Sequence, residues 1–80
     1  MSHTPHELHD EFPEAGDILH KLKIENAHFQ KLSEHYHEVN REIHRIDSGV
    51  EASSDERSED LKKQRLFLLD EIGKMVSEAA

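Results

Sequence analysis

The chain contains no cysteine and no tryptophan, only three glycines and two prolines, and no long hydrophobic run. Without cysteine, disulfide bridges and thiolate zinc sites are excluded. A transmembrane helix needs about 18 or more consecutive apolar residues, and no stretch here supplies them. The opening residues lack the basic and apolar segments of a secretory signal. We therefore expect a cytoplasmic protein that makes no membrane contact.

The balance of residue types limits the kind of core that the chain can build. Its 80 residues predict a single domain over 1-80. With 34% hydrophobic and 35% charged residues, the composition is too polar for a thick globular core. A pair of long helices suits this balance, because each helix buries only one stripe. A chain this short buries a small share of its surface, so association with a second chain would stabilise it.

Acidic residues exceed basic ones and give a formal net charge of −8. This charge disfavours non-specific binding to nucleic acid or to an anionic membrane surface. The chain also has eight histidines, a residue that generally titrates near pH 6.5. Mild acidification therefore moves the net charge toward zero, and we expect solubility to fall.

Apolar residues recur at spacings of three and four along most of the chain, which is the pattern of a helix with one buried seam. In the first predicted helix they are Phe29, Leu32, Tyr36, Val39, Ile43 and Ile46, with Val50 after them, and in the second they are Leu61, Leu68, Ile72 and Met75. We call these residues, without Val50, the hairpin seam. The predicted fold class is all-α, an antiparallel helical hairpin of coiled-coil type with a short N-terminal helical arm.

Helix-breaking and capping residues predict the boundaries. The arm covers 1-13 and ends at Pro13, a long helix covers 14-48, a turn covers 49-53 and a second long helix covers 54-78. Gly49 suits the left-handed position of a Schellman cap, with Val50 making its apolar contact. Ser53 and Ser54 are equally good N-caps for the second helix.

Two positions inside the predicted helices need comment. Between 23 and 26 the pattern weakens, and Asn26 could cap a new helix. We favour a helix that is continuous or merely kinked there. Gly73 lies inside the second helix, where glycine costs about 1 kcal/mol, so we expect a bulky neighbour to approach it closely.

More apolar surface is present than one seam can bury. Leu8, Phe12, Ile18, Leu19 and Leu22 have no partner within the hairpin, so they fold back, meet another subunit or stay exposed. The second helix carries a further strip and an isolated Phe67, which is covered by the arm, buried between subunits or offered to a partner. The predicted interaction residues are Leu8, Phe12, Ile18, Leu22, Leu66, Phe67, Leu69 and Val76. This surplus predicts a homo-oligomer, a dimer or tetramer, with surface left for an unidentified protein partner.

Several spaced segments resemble one family of small bacterial proteins. The segments are His6-Glu7-Leu8-His9-Asp10-Glu11-Phe12-Pro13-Glu14, Leu22-Lys23, His28-Phe29 with Leu32 and Tyr36-His37, Glu42-Ile43-His44-Arg45, and the stretch from Leu61 to Ile72. Together they resemble the YdcH-like family, a domain of unknown function with a coiled-coil tendency. The resemblance implies a bacterial cytoplasmic protein and brings no catalytic residue or cofactor with it. Leu69 stands where that family usually has lysine, so the oligomer geometry need not transfer.

No motif predicts catalysis or a cofactor. His3, His6, His9 and Asp10 could share a helix face and hold a metal, but terminal histidines are more often simply solvated, and we predict no metal site. A two-helix hairpin also offers no deep pocket. We therefore predict a protein that is not an enzyme and that binds no cofactor.

Three functions are compatible with these features. The first is a self-associating interaction or adaptor module. The second is a nucleic-acid-associated regulator that uses the Lys62/Lys63/Arg65 cluster with Arg57 upstream, although the acidic net charge makes nucleic acid the weaker partner. The third is a pH-responsive assembly through His28 and His35, which flank the seam one heptad apart, because protonation would place like charges beside an interface.

Overall fold

The computed structural model describes residues 7–79, which form four α-helices and no strand. The helices are α1 (Leu8–Glu11), α2 (Gly16–Glu25), α3 (Ala27–Asp47) and α4 (Asp55–Ala79). Helices α3 and α4 form the hairpin, and α1 with α2 forms the arm, a longer segment than the arm predicted over 1-13. The predicted all-α fold is confirmed.

The helix predicted over 14-48 is in fact two helices, because the chain breaks at Asn26. The backbone of Asn26 is extended there, with φ −126° and ψ 107°. Its N–H donates to the Leu22 carbonyl and ends α2, while its Oδ1 accepts from the Phe29 N–H at 3.0 Å and begins α3. One residue thus closes the first helix and caps the next, and our preference for a continuous or kinked helix was wrong.

The turn after α3 has the predicted Schellman geometry. Gly49 has a φ of 81°, its N–H donates to the Ile46 carbonyl, and the Val50 N–H donates to the Arg45 carbonyl. Val50 itself is 77% exposed, so it does not make the apolar contact that we expected.

Helix α4 begins at a serine cap. The Ser54 Oγ accepts from the Arg57 N–H at 3.1 Å, so Ser54 rather than Ser53 is the N-cap.

The hairpin seam lies inside the core. Seven of its members are buried, and Leu32, Ile46 and Met75 pack partly buried against them. Polar contacts join α3 and α4, since Arg65 Nη1 donates to Asn40 Oδ1 at 3.2 Å, Lys62 Nζ lies 3.8 Å from Asp47 Oδ1, and Arg57 pairs with Glu42. These contacts show the register in which α4 returns along α3.

The arm folds back onto the hairpin, which was the first of the three alternatives left open. Leu8 and Leu19 are buried in the core, and Phe12, Ile18 and Leu22 pack against it. A Cβ added at Gly73 would lie 3.5 Å from the Phe12 ring, so the expected bulky neighbour of this glycine is Phe12. The arm therefore uses these five apolar side chains within the same molecule, whereas its Ile24 is 70% exposed.

Candidate interaction surface

The two sides of α3 have different surroundings. Ser33 and His37 lie on one side, one helical turn apart. Leu8 of α1 and Leu19 of α2 border the same small cleft on that side. At its edge, His37 Nδ1 lies 3.0 Å from the Glu7 carboxylate. The arm therefore covers this side of α3.

A shallow groove runs along the other side of α3, where α4 is its only neighbour among the described residues. Its lining residues are Leu32, His35, Lys63, Gln64, Phe67 and Leu68, and its volume is about 400 Å³. Leu32 and Leu68 belong to the seam, so the base of the groove is apolar. Phe67 is 62% exposed at its edge. We call these six residues the Phe67 groove.

The predicted interaction residues separate into three groups. Leu8, Phe12, Ile18 and Leu22 pack within the chain, and so do Leu69 and Val76 on α4. Leu66 is 61% exposed, but it does not line the Phe67 groove. Of this set, only Phe67 combines high exposure with a neighbouring apolar groove. Phe67 also borders a cleft that Glu11 and Phe12 of the arm line, but at 62% exposure the arm leaves most of this side chain uncovered.

Sequence reasoning did not identify the groove itself. Leu32 and Leu68 were assigned to the seam, and Lys63 to a basic cluster. The signal that could have found it is spacing, because Lys63, Gln64, Phe67 and Leu68 are the i, i+1, i+4 and i+5 positions of one helical edge.

The basic cluster is largely engaged within the hairpin. Arg57 pairs with Glu42, Lys62 with Asp47, and Arg65 with Asn40. Lys63 instead lines the Phe67 groove. The three cations of the Lys62/Lys63/Arg65 cluster thus point in different directions, which is a poor arrangement for following a phosphate backbone.

A polar layer lies beneath α1. Tyr36 is fully buried, and Ser33 and Asn40 are buried one turn away on either side. Burial, with a smaller contribution from the Glu11 carboxylate, raises the pKa of Tyr36 to about 12 against the opposing effect of Arg65. Within residues 7–79 no buried side-chain nitrogen or oxygen lacks a hydrogen-bond partner.

Metal and membrane features were also sought. In the described part of the chain, no three His, Asp or Glu side chains are grouped so that they could hold a metal. His3 and His6 of the candidate terminal cluster lie outside the described residues. None of the helices between 7 and 79 combines the length and the apolar character that crossing a bilayer requires.

Comparison with known families adds one match. The profile of the family described as "Protein of unknown function (DUF465)" matches residues 29–76, more than half of the chain. The chain belongs to the DUF465 family. YdcH is itself a DUF465 member, so the resemblance to the YdcH-like family is confirmed. No match was found among curated proteins or among solved structures.

The DUF465 match coincides with the hairpin. It includes the whole seam and all six residues of the Phe67 groove, whereas α1 and α2 lie outside it. The groove is therefore built entirely from the DUF465 part of the chain.

Proposed function

We propose that this DUF465 protein is a self-associating interaction module, an adaptor whose hairpins pair through the Phe67 groove. The observation that carries the proposal is Phe67, a large aromatic side chain 62% exposed beside an apolar groove. Burying such a side chain is worth about 1.5–3 kcal/mol.

The composition of the chain supports the same proposal. An 80-residue chain without disulfides is marginally stable alone, and a second copy supplies the missing buried surface. Helical apolar faces of this kind generally bind other helices.

Sedimentation equilibrium at neutral pH tests the proposal. We expect the wild-type chain to form dimers or tetramers at micromolar concentration. Phe67→Ser removes the aromatic from both copies, so the dissociation constant should rise at least tenfold. A wild-type chain that stays monomeric at high micromolar concentration contradicts the proposal.

Leu66→Ser is the matched control. Leu66 is the neighbouring residue and has almost the same exposure, but it does not line the groove. We expect this variant to associate like the wild type. If Leu66→Ser dissociates the oligomer and Phe67→Ser does not, then association uses a different face of α4.

A pH-responsive assembly is the second candidate, because His35 lines the Phe67 groove. Lys63 is the ionisable group that lines the groove from α4, and Lys31, Glu34 and Glu38 are the ionisable neighbours of His35 on α3. Protonation of His35 adds a cation beside Lys63, so association should weaken between about pH 7.5 and 5.5.

Histidine variants test this second candidate. His35→Gln should abolish the change in oligomer mass with pH, whereas His28→Gln should preserve it because His28 does not line the groove. A transition that persists in the His35 variant contradicts this role.

A further inference from the structure

Charged residues flank Phe67 in a regular order along α4. Asp60, Lys63, Phe67, Glu71 and Lys74 follow one another at spacings of three and four, so they share one face of the helix. Asp60, Lys63 and Lys74 are exposed, and Glu71 is partly exposed. The face therefore presents one aromatic side chain between alternating charges.

The signs of these charges reverse about Phe67. Lys63, a cation, lies four residues before Phe67, and Glu71, an anion, lies four residues after it. Asp60, an anion, lies seven residues before Phe67, and Lys74, a cation, lies seven residues after it. Reversing the direction of the helix about Phe67 therefore replaces each of these four charges by its opposite, while the exposed Asp70, three residues after Phe67, falls opposite the neutral Gln64.

We propose that two copies of this chain pair their α4 helices antiparallel, with a two-fold axis at Phe67. This inference rests on the proposed self-association and adds its geometry. Phe67 of each copy lies in the Phe67 groove of the other. Lys63 faces the partner's Glu71, and Asp60 faces the partner's Lys74.

The same charges disfavour a parallel pair in register. A parallel arrangement would place Lys63 beside the partner's Lys63 and Glu71 beside the partner's Glu71, and like charges at such positions repel. The antiparallel arrangement also forms a charge network, because Lys74 Nζ already lies 3.5 Å from Glu71 Oε1 within one chain. Glu71 would then lie between two cations, one from each copy.

The complementary contact has a defined length. At a rise of 1.5 Å per residue, seven residues on each side of Phe67 span roughly 21 Å of helix. Glu56 and Glu78, the next positions outward, are both acidic and exposed, so the complementarity ends there. The pairing thus involves the middle of α4 and leaves its ends in solvent.

Charge reversal tests this geometry by sedimentation equilibrium at low salt. Lys63→Glu places an anion opposite the partner's Glu71, and Glu71→Lys places a cation opposite the partner's Lys63. Each variant creates two like-charge pairs in a homodimer, so the dissociation constant should rise roughly tenfold. The double variant, and an equimolar mixture of the two single variants, restore opposite charges and should associate like the wild type.

The two single variants separate local pairing from overall repulsion. Lys63→Glu makes the chain more negative by two charges and Glu71→Lys makes it less negative by two. If net charge alone governed association, Glu71→Lys would strengthen it. Lys21→Glu, an exposed change on α2 that adds the same negative charge as Lys63→Glu, should have little effect. Far-ultraviolet circular dichroism verifies that every variant keeps its helix content.

Each outcome bears on the proposal. Weakening by both single variants with recovery in the mixture and in the double variant supports the antiparallel pair. If both single variants associate normally while Phe67→Ser dissociates the oligomer, this geometry is overturned and self-association stands. Strengthening by Glu71→Lys also overturns the geometry. A wild-type monomer overturns both the geometry and the proposed function.

Discussion

Alkaline pH should destabilise this protein through Tyr36. A tyrosine in an unfolded chain ionises near pH 10, whereas burial raises the pKa of Tyr36 in the folded protein to about 12. Between these values the folded state retains the phenolic proton and the unfolded state loses it. The stability that Tyr36 contributes is therefore complete below about pH 10 and falls as pH rises toward 12. A difference of about two pKa units corresponds to about 2.7 kcal/mol at most.

The composition makes this prediction easy to measure. Tyr36 is the only tyrosine and there is no tryptophan, so the ultraviolet absorbance of tyrosinate reports this one residue. Urea unfolding followed by circular dichroism across the same pH range gives the free energy of unfolding. Tyr36→Phe is the control, because it keeps the ring but has no phenol to ionise. Its stability should fall less steeply with pH than that of the wild type.

Two results would refute the reasoning. One is a Tyr36 that titrates near pH 10 while helix content stays intact, which would mean that water reaches the phenol in the folded state. The other is an identical dependence of stability on pH in the wild type and Tyr36→Phe. All other ionisable groups are the same in both proteins, so their contributions cancel in the comparison.

Three further predictions concern stability in urea unfolding. Ile43→Asp places an unpaired charge at a seam position only 3% exposed, so the free energy of unfolding should fall by at least about 3 kcal/mol and the chain should unfold. The control Glu34→Ala changes an exposed residue and should have little effect. A folded Ile43→Asp monomer would contradict the assignment of Ile43 to the seam. Gly73→Ala should stabilise the protein by about 0.5–1 kcal/mol, because alanine favours the helix and the new Cβ meets Phe12 at an ordinary contact distance of 3.5 Å. Destabilisation would show that Phe12 cannot accommodate the added methyl group. Asn26→Ala removes the cap of α3 and should cost about 1 kcal/mol, and an unchanged midpoint would show that this cap contributes nothing.

The hairpin was predictable because its signal is local. A helix that buries one stripe must repeat apolar residues every three or four positions, so the seam can be read along the chain. Gly49 was predictable for a similar reason, since a left-handed residue at a helix end strongly favours glycine. The contact of Val50 was not, because it depends on what lies beside the turn.

Features that depend on three-dimensional packing could not be predicted from the sequence. The break at Asn26 was visible only as a weakened pattern and a possible capping residue, and the capping bond to Phe29 decided it. The position of the arm was left as three alternatives, since Leu8 and Leu19 are apolar in all of them. The Phe67 groove combines residues about thirty positions apart, so the spacing along α4 indicates only one of its two edges.

The arm covers one flank of α3 and leaves the other flank, which holds the Phe67 groove, open to a partner. Units with two such flanks would join head to tail into open-ended filaments, whereas units with one can only close on each other. Helices α1 and α2 would thus prevent polymerisation by covering the flank of α3 that lies opposite the Phe67 groove. A chain starting at Asn26 would expose the seam beside Ser33 and His37, and long polymers or precipitation would replace discrete particles.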